Sequence, residues 1–188
     1  VLHKIVLFFV SKYDSCWIPD FENRENNLSG DLSHKYKLPE NAVFIGPLSR
    51  FTKRETTLNI EYDILAIVSG HEPQRSVFED LIIKQLKSIP VKALVVCGKP
   101  QEDYSEKQVG ELTVIPHLSS EQLQEVIEKS KLVIARSGYS TIMDLAVLGK
   151  KAAFIPTPGQ TEQEYLAELL ASKHIAFSQK QQETNILD

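Results

Sequence analysis

From Tyr62 onward the chain repeats one pattern: a short apolar run rich in β-branched residues, a Gly or Pro, then a stretch with helical spacing. The runs are DILAIVSG, VKALVVCG, ELTVIPHL, KLVIARSG and KAAFIPTPG. Among them lie four helical stretches. SVFEDLIIKQLKSI is opened by Ser76 and stopped by Pro90, with Val77, Leu81, Ile82 and Leu86 on one face. EQLQEVIEKS is capped by Ser119 or Ser120, with Leu123, Val126 and Ile127 on one face. YSTIMDLAVLG is closed by Gly149, and QTEQEYLAELLASK follows the last run. Continuous apolar strands are those buried on both faces, and helical crossovers of this length force parallel pairing. The pattern predicts an α/β, Rossmann-like doubly wound parallel sheet of five strands and four helices over residues 58–188.

Residues 1–57 have a different texture. The apolar pieces DSCWIPD and NAVFIGPL flank a polar stretch, and SRFTKRETT reads as a linker. Trp17 and the stripe of Ile5, Phe8 and Phe9 read as core or interdomain packing. The opening VLHKIVLFFV is too short to span a membrane, although it suits a surface that touches one. No small-residue cleavage site follows it. The chain starts at Val1 and ends on a polar stretch at Asp188, as a piece of a longer protein would. A net charge of −4 with no basic block argues against a nucleic-acid partner. Cys16 and Cys97 lie far apart, which argues against a disulfide scaffold or zinc site and suits a reducing, cytoplasmic compartment. His3, His34 and His174 have no spacing a metal needs.

Ligands of open α/β sheets bind beyond the carboxyl ends of the strands, so the strand-to-helix loops carry the chemistry. In RSGYST (136–141) a Gly permits close approach and Ser140 and Thr141 precede a helix. Free N–H groups there would hold a phosphate, or the segment is a tight turn with a Ser cap. Asp144 lies on the first turn, as a capping-box acid or as an acceptor for a ribose diol. SGHEPQRS carries His71, which binds phosphate, acts as a base or is simply solvated. It lacks GxGxxG, and its Pro73 excludes a Walker loop. Gln160, Glu162, Gln163 and Glu164 are a solvated helix start or hydrogen-bond a sugar. His117 is read as a core-edge histidine, and no GxSxG elbow is present.

Together these segments are more specific. VIARSGYSTIMDLAVLGKKAAFIPTPGQTEQEYLAELL, with SGHEPQRSVFE and IGPLSR, resembles the C-terminal domain of family 28 glycosyltransferases, cell-envelope enzymes of GT-B fold. The resemblance covers roughly residues 43–171. It implies the C-terminal half of a GT-B fold: the tail of an acceptor domain and a linker in 1–57, and a nucleotide-sugar domain in 58–188. It implies that Arg50 reaches a diphosphate oxygen, with Gly70 and His71 near the phosphates. Leu118 or Ser119 would offer backbone groups to a uracil edge. Arg136 opens the R-S-G motif, and Ser137, Gly138, Ser140 and Thr141 would cradle the diphosphate. Asp144 would hold the ribose, and Gln160, Gln163 and Glu164 the sugar hydroxyls or ribose. The chain departs from the family at Asp144, where Glu is usual, at Glu164, where a second Gln is usual, and at Pro73, where a loop Gly is usual.

The implied activity is transfer from a UDP-sugar such as UDP-N-acetylglucosamine, with inversion and without metal or cofactor, to a lipid-linked or glycan acceptor. The intact protein would work in the cytoplasm, at the inner membrane face. His71 is the only catalytic candidate in the chain; the general base otherwise lies outside it, so the chain alone binds donor without turning it over. Closure would hinge at SRFTKRETT. Two rivals share the scaffold: a nucleotide-sugar epimerase or hydrolase, and a non-catalytic binding module. A flavodoxin-like or response-regulator domain is disfavoured by the missing first-strand acidic cluster.

Overall fold

The structure is a computed structural model describing residues 2–55 and 58–186. The expected linker boundary at 57/58 lies partly outside the described residues. In chain order the elements are α1 (Leu2–Val10), β1 (Cys16–Ile18), α2 (Asp31–His34), β2 (Ala42–Phe44), β3 (Tyr62–Ile67), α3 (Gln74–Leu86), β4 (Ala93–Val96), β5 (Lys107–Val109), β6 (Leu112–Ile115), α4 (Ser120–Glu128), β7 (Ser130–Ala135), α5 (Tyr139–Leu148), β8 (Ala152–Phe154), α6 (Thr161–Ser172) and β9 (Phe177–Ser178). A short 3-10 turn, Gln181–Glu183, follows.

The main sheet has seven strands among the described residues, in the order β5-β6-β4-β3-β7-β8-β9. All pairs are parallel except the β5–β6 hairpin. The five expected strands form its centre, and β5 and β9 extend its two edges. The centre is buried on both faces, and side chains alternate between them with the strand period of two. Leu65, Leu94, Val96, Val133 and Ala135 point to the α4–α5–α6 face. Ile64, Ala66, Val68, Ala93, Val95, Cys97 and Ile134 point to the α3 face. The buried stripe of α3 is Phe78, Ile82 and Leu86, joined by Arg75. Val77, expected on that face, is exposed, because the buried stripe runs through Phe78, one residue and about 100° round the helix from it. Gly149 closes α5 with φ 64°, the left-handed cap that glycine adopts without a Cβ penalty.

The chain runs from β3 outward through β4 to β6, then α4 carries it back to β7 on the other side of β3. That reversal is a topological switch point, with the ligand-binding crevice beyond the C-terminal ends of β3 and β7.

The N-terminal segment builds a second, two-stranded parallel sheet from β1 and β2. Its polar loop is docked on the large domain. Asp20 is buried and accepts from the backbone N–H groups of Phe21 (2.7 Å), Leu28 (2.9 Å) and Ser29 (2.9 Å). Leu28 thereby enters the core beside α6. Lys173 Nζ donates to the carbonyls of Arg24 and Asn27, and Tyr165 Oη accepts from the N–H of Asp31. The described part of SRFTKRETT is likewise clamped. Phe51 is buried in the core, Arg54 pairs with Glu128 at 3.3 Å, and the Thr52 carbonyl accepts from Gln124 at 2.6 Å. Trp17, Ile5, Phe8 and Phe9 are exposed. Of the two expectations, core or interdomain packing, the structure corrects the first: these four side chains do not enter the core of this chain.

Candidate functional site

The β7–α5 connection places a helix start at the switch point. Its N-cap is Gly138, which has no side chain to cap with, and α5 has no side-chain cap bond. Gly138 O receives the first intrahelical bond, from Ile142 N–H, at 3.0 Å. The N–H groups of Tyr139, Ser140 and Thr141 have no partner among the described residues. By contrast, α4 closes its own start with a capping box between Ser119 and Gln122. The open start of α5 faces a cavity of about 560 Å³ lined by Leu48, Ser49, Arg50, Ser140, Thr141 and Asp144. Three free N–H groups, two hydroxyls, a guanidinium and the positive end of the helix dipole are the features by which this surface would attract an anion.

The structure corrects the local reading of this motif in two respects. Ser140 and Thr141 lie inside the first turn of α5, so neither is a Ser cap. Asp144 is in the second turn, because the helix starts at Tyr139, and it is too far along to cap anything. Its carboxylate is nearly buried, with one partner on each oxygen: Ser49 Oγ donates to Oδ1 at 2.6 Å, and Arg50 Nε to Oδ2 at 3.1 Å. Arg50 is otherwise open to solvent and leans on the Phe51 ring at 4.8 Å. Sequence reasoning missed Ser49 and Leu48, because nothing in IGPLSR marks which residue turns toward α5.

The remaining candidates lie elsewhere. Arg136 was expected at the donor but turns inward, 2% exposed. It donates to the carbonyls of Ile155 (3.0 Å), Pro156 (3.0 Å) and Gln74 (3.2 Å) and to Gln181 (2.6 Å), over the Phe78 ring at 4.0 Å. Burial pushes its pKa down to about 10, so it stays cationic at neutral pH. Ser137 is also buried, and its hydroxyl donates to the Gln163 carbonyl at 2.7 Å, tying the motif to α6. Gln163 Oε1 accepts from Thr157 N–H at 2.9 Å, Gln160 accepts from Gln163 at 2.5 Å, and Glu164 accepts from Gly159 N–H at 3.0 Å. These three side chains brace the 157–160 loop on which they were expected to hold a sugar.

Gly70 and His71 are exposed on the β3–α3 loop, and no side chain among the described residues orients His71 as a base. Ser119 spends its N–H, hydroxyl and carbonyl on α4, leaving Leu118 as the residue there with unbonded backbone groups. Tyr139 faces away from the α5 cavity. Its hydroxyl donates to the Pro19 carbonyl, and burial pushes it up to about 12. It lines a second, largely apolar cavity of about 480 Å³ with Trp17, Leu32 and Glu162. Among the described residues no group of three or more His, Cys, Asp or Glu is placed to hold a metal ion. A cavity of about 640 Å³ lies between α6 and the C-terminal segment, lined by Pro156, Glu164, Glu168 and residues 178–183, away from the start of α5.

Comparison with known proteins gives this geometry a family. The chain is similar to the UDP-N-acetylglucosamine--N-acetylmuramyl-(pentapeptide) pyrophosphoryl-undecaprenol N-acetylglucosamine transferase of Buchnera aphidicola, 26% identical over 125 residues, covering 64% of this chain and 34% of that protein. The enzyme of that name from Methylobacterium sp. is 42% identical over 52 residues, 27% of this chain and 14% of its own length. The chain thus spans about a third or less of these relatives. Among solved structures, MurG of Acinetobacter baumannii superposes with a TM-score of 0.55 at 20% identity, over 79% of this chain and 45% of that one. The glycosyltransferase SnogD of Streptomyces nogalater gives 0.54 at 10% identity, over 80% and 46%. These likenesses establish the fold as that of one half of such enzymes. The profile described as glycosyltransferase family 28 C-terminal domain matches residues 74–188, and the chain belongs to that family.

Proposed function

We propose that the chain is the donor-binding half of a glycosyltransferase whose substrate is a nucleoside-diphosphate sugar of UDP type, such as UDP-N-acetylglucosamine. The observation that carries this reading is the uncapped N-terminus of α5, opening on a cavity shared with Arg50 and Asp144. The names of the relatives support the choice of donor. The diphosphate would accept hydrogen bonds from the N–H groups of residues 139–141 and the Ser140 and Thr141 hydroxyls. A ribose diol would replace Ser49 and Arg50 on Asp144, and Arg50, once released, would turn to the diphosphate. As the bond between the anomeric carbon and the diphosphate breaks, these fixed dipoles stabilise the leaving charge. An acceptor hydroxyl attacks from the opposite face, with inversion, and passes its proton to a base on the other half of the enzyme. Charge stabilisation by helix and guanidinium would make a divalent ion unnecessary.

In this reading residues 1–57 close the acceptor half, and the acceptor is lipid-linked or a glycan. No helix of the described residues is long and apolar enough to cross a membrane. The exposed apolar face of α1 supports peripheral attachment, which we place at the cytoplasmic face. An epimerase or hydrolase on this scaffold would release an epimer or free sugar without acceptor.

Calorimetry with UDP, UDP-N-acetylglucosamine and GDP tests the reading. UDP and its sugar are expected to bind in preference to GDP. Asp144→Ala is expected to weaken UDP by about tenfold or more, the value of hydrogen bonds to a charged group. Failure of UDP to bind both this chain and the full-length protein would contradict it.

A further inference from the structure

The loop from β1 to α2, with α2 itself, carries a row of polar side chains that the donor site described above does not use. Asp20 is fully buried, and Ser29 Oγ donates to its Oδ2. Ser29 Oγ lies 2.6 Å from Ser33 Oγ, and Ser33 Oγ lies 2.6 Å from His34 Nδ1. The neighbours of His34 assign its tautomer. Nε2 faces the Glu22 carbonyl at 3.0 Å, and a carbonyl only accepts, so the hydrogen belongs on Nε2. Asn27 Oδ1 accepts from Lys173 Nζ at 2.6 Å, which turns the amide N–H of Asn27 toward Nδ1 at 3.0 Å. Nδ1 is therefore the acceptor of the ring. The Phe44 ring stacks on the imidazole at 4.9 Å and fixes its plane.

The row is one proton short. Its three contacts, Asp20–Ser29, Ser29–Ser33 and Ser33–His34, need three hydrogens, and the two hydroxyls bring two. Asp20 is held as an acceptor by the backbone N–H groups of Phe21, Leu28 and Ser29, so a further proton belongs at the imidazole end. The row also reaches the site. Ser29 and Ser33 line the largely apolar cavity of about 480 Å³, and so do Tyr139 and Glu162, in the first turns of α5 and α6. Tyr139 Oη holds the carbonyl of Pro19, one residue before Asp20, and Tyr165 Oη holds the N–H of Asp31 at 2.6 Å. A Cβ on Gly30 would collide with Tyr165, so glycine there lets α2 lie close against α6.

We propose that Ser33 is a catalytic residue of the transfer, with His34 as the base behind it. An acceptor hydroxyl in this cavity gives its proton to Ser33 Oγ as its oxygen bonds to the anomeric carbon. Ser33 passes its own proton to His34 Nδ1, and the Asp20 carboxylate balances the imidazolium through Ser29. The bond from the anomeric carbon to the diphosphate breaks, and its electron pair leaves with the diphosphate. This rests on the donor reading above and adds to it a base within residues 1–57, which that reading places in the acceptor half. The test is UDP formation by the full-length protein from UDP-N-acetylglucosamine, with water as the attacking hydroxyl. Water loses its proton in the same step as a larger alcohol would. Calorimetry measures UDP affinity beside it. Ser33→Ala and His34→Gln are expected to slow UDP formation about 10²- to 10⁴-fold, the range of general base catalysis, with UDP affinity within about twofold of the parent. Ser33→Thr keeps the hydroxyl and should stay within about tenfold of the parent rate. A Ser33→Ala rate within about tenfold of the parent, or a Thr variant as slow as the Ala variant, would overturn the relay and leave the donor reading standing. So would a parent that binds UDP but forms none from the sugar nucleotide. A matching fall in UDP affinity would overturn it too, by showing a disturbed fold. No UDP binding by the parent would overturn both.

Discussion

Arg136 shows what one residue's surroundings decide. The R-S-G motif is legible in the sequence as a strand end before a helix, yet its Arg and Ser both turn inward. A spacing tells which residues meet at a loop; it does not tell which way they aim. The deciding facts are the carbonyls of Ile155 and Pro156, which accept from Arg136, and the Gln163 carbonyl, which accepts from Ser137. No carboxylate pairs with this guanidinium among the described residues, so backbone dipoles and the Phe78 ring hold the charge. Arg136→Ala should therefore act on stability. A loss of about 2–4 kcal/mol is expected in urea titration, from two orphaned carbonyls and the cavity left behind. Asp144 was legible as a site acid. Its engagement by Ser49 and Arg50 was not, because those contacts join residues about a hundred positions apart in sequence.

At the scale of elements, the strongly periodic segments were legible and the short ones were not. The four expected helices and five central strands are present. The edge strands β5 and β9 have only three and two residues, too few for a period to register. The start of α3 was misplaced because Arg75 and Glu72, which build its first turn, are charged and give no apolar signal. Arg75 pairs with Glu72 and, at 2.5 Å, with Glu79; Lys99 pairs with Glu79 at 3.0 Å and so joins α3 to the β4–β5 loop. Burial raises the Glu79 pKa, but hydrogen bonds from Arg75 and Lys99 outweigh it and hold it below the ordinary 4.5. A carboxyl depressed in the folded state contributes stability above its unfolded pKa and loses it as pH falls through the folded value. Acid titration should thus unfold the chain progressively below about pH 4.5. Glu79→Gln should be less stable at neutral pH and lose less between pH 5 and pH 3. A variant with the parent's full acid sensitivity would count against this account.

For the molecule as a whole, strand order creates the site. A chain that lays β3, β4 and β6 in one direction and β7, β8 and β9 in the other opens a crevice at β3/β7, where α5 begins uncapped. The parallel sheet and ligand binding beyond its strand ends were legible from alternating strands and helices; the strand order and the missing cap of α5 were not, because alternation alone does not fix which strands neighbour each other. The docking of residues 19–54 was not, because a polar loop and a charged stretch look like tethers in sequence. The decisive bonds run from Lys173, Tyr165 and Gln124, far along the chain. With Phe51 buried and Ser49 and Arg50 on Asp144, the described part of SRFTKRETT is tied to the domain by these contacts. The central claim is that the open end of α5 binds the nucleotide diphosphate. Its most direct test is a titration of the isotope-labelled chain with UDP, followed through its amide resonances. The account predicts the largest shifts at Tyr139, Ser140, Thr141 and Asp144, with Ser49 and Arg50 moving as they leave the carboxylate. Shifts confined to residues 178–183, around the larger cavity beside α6, would contradict it.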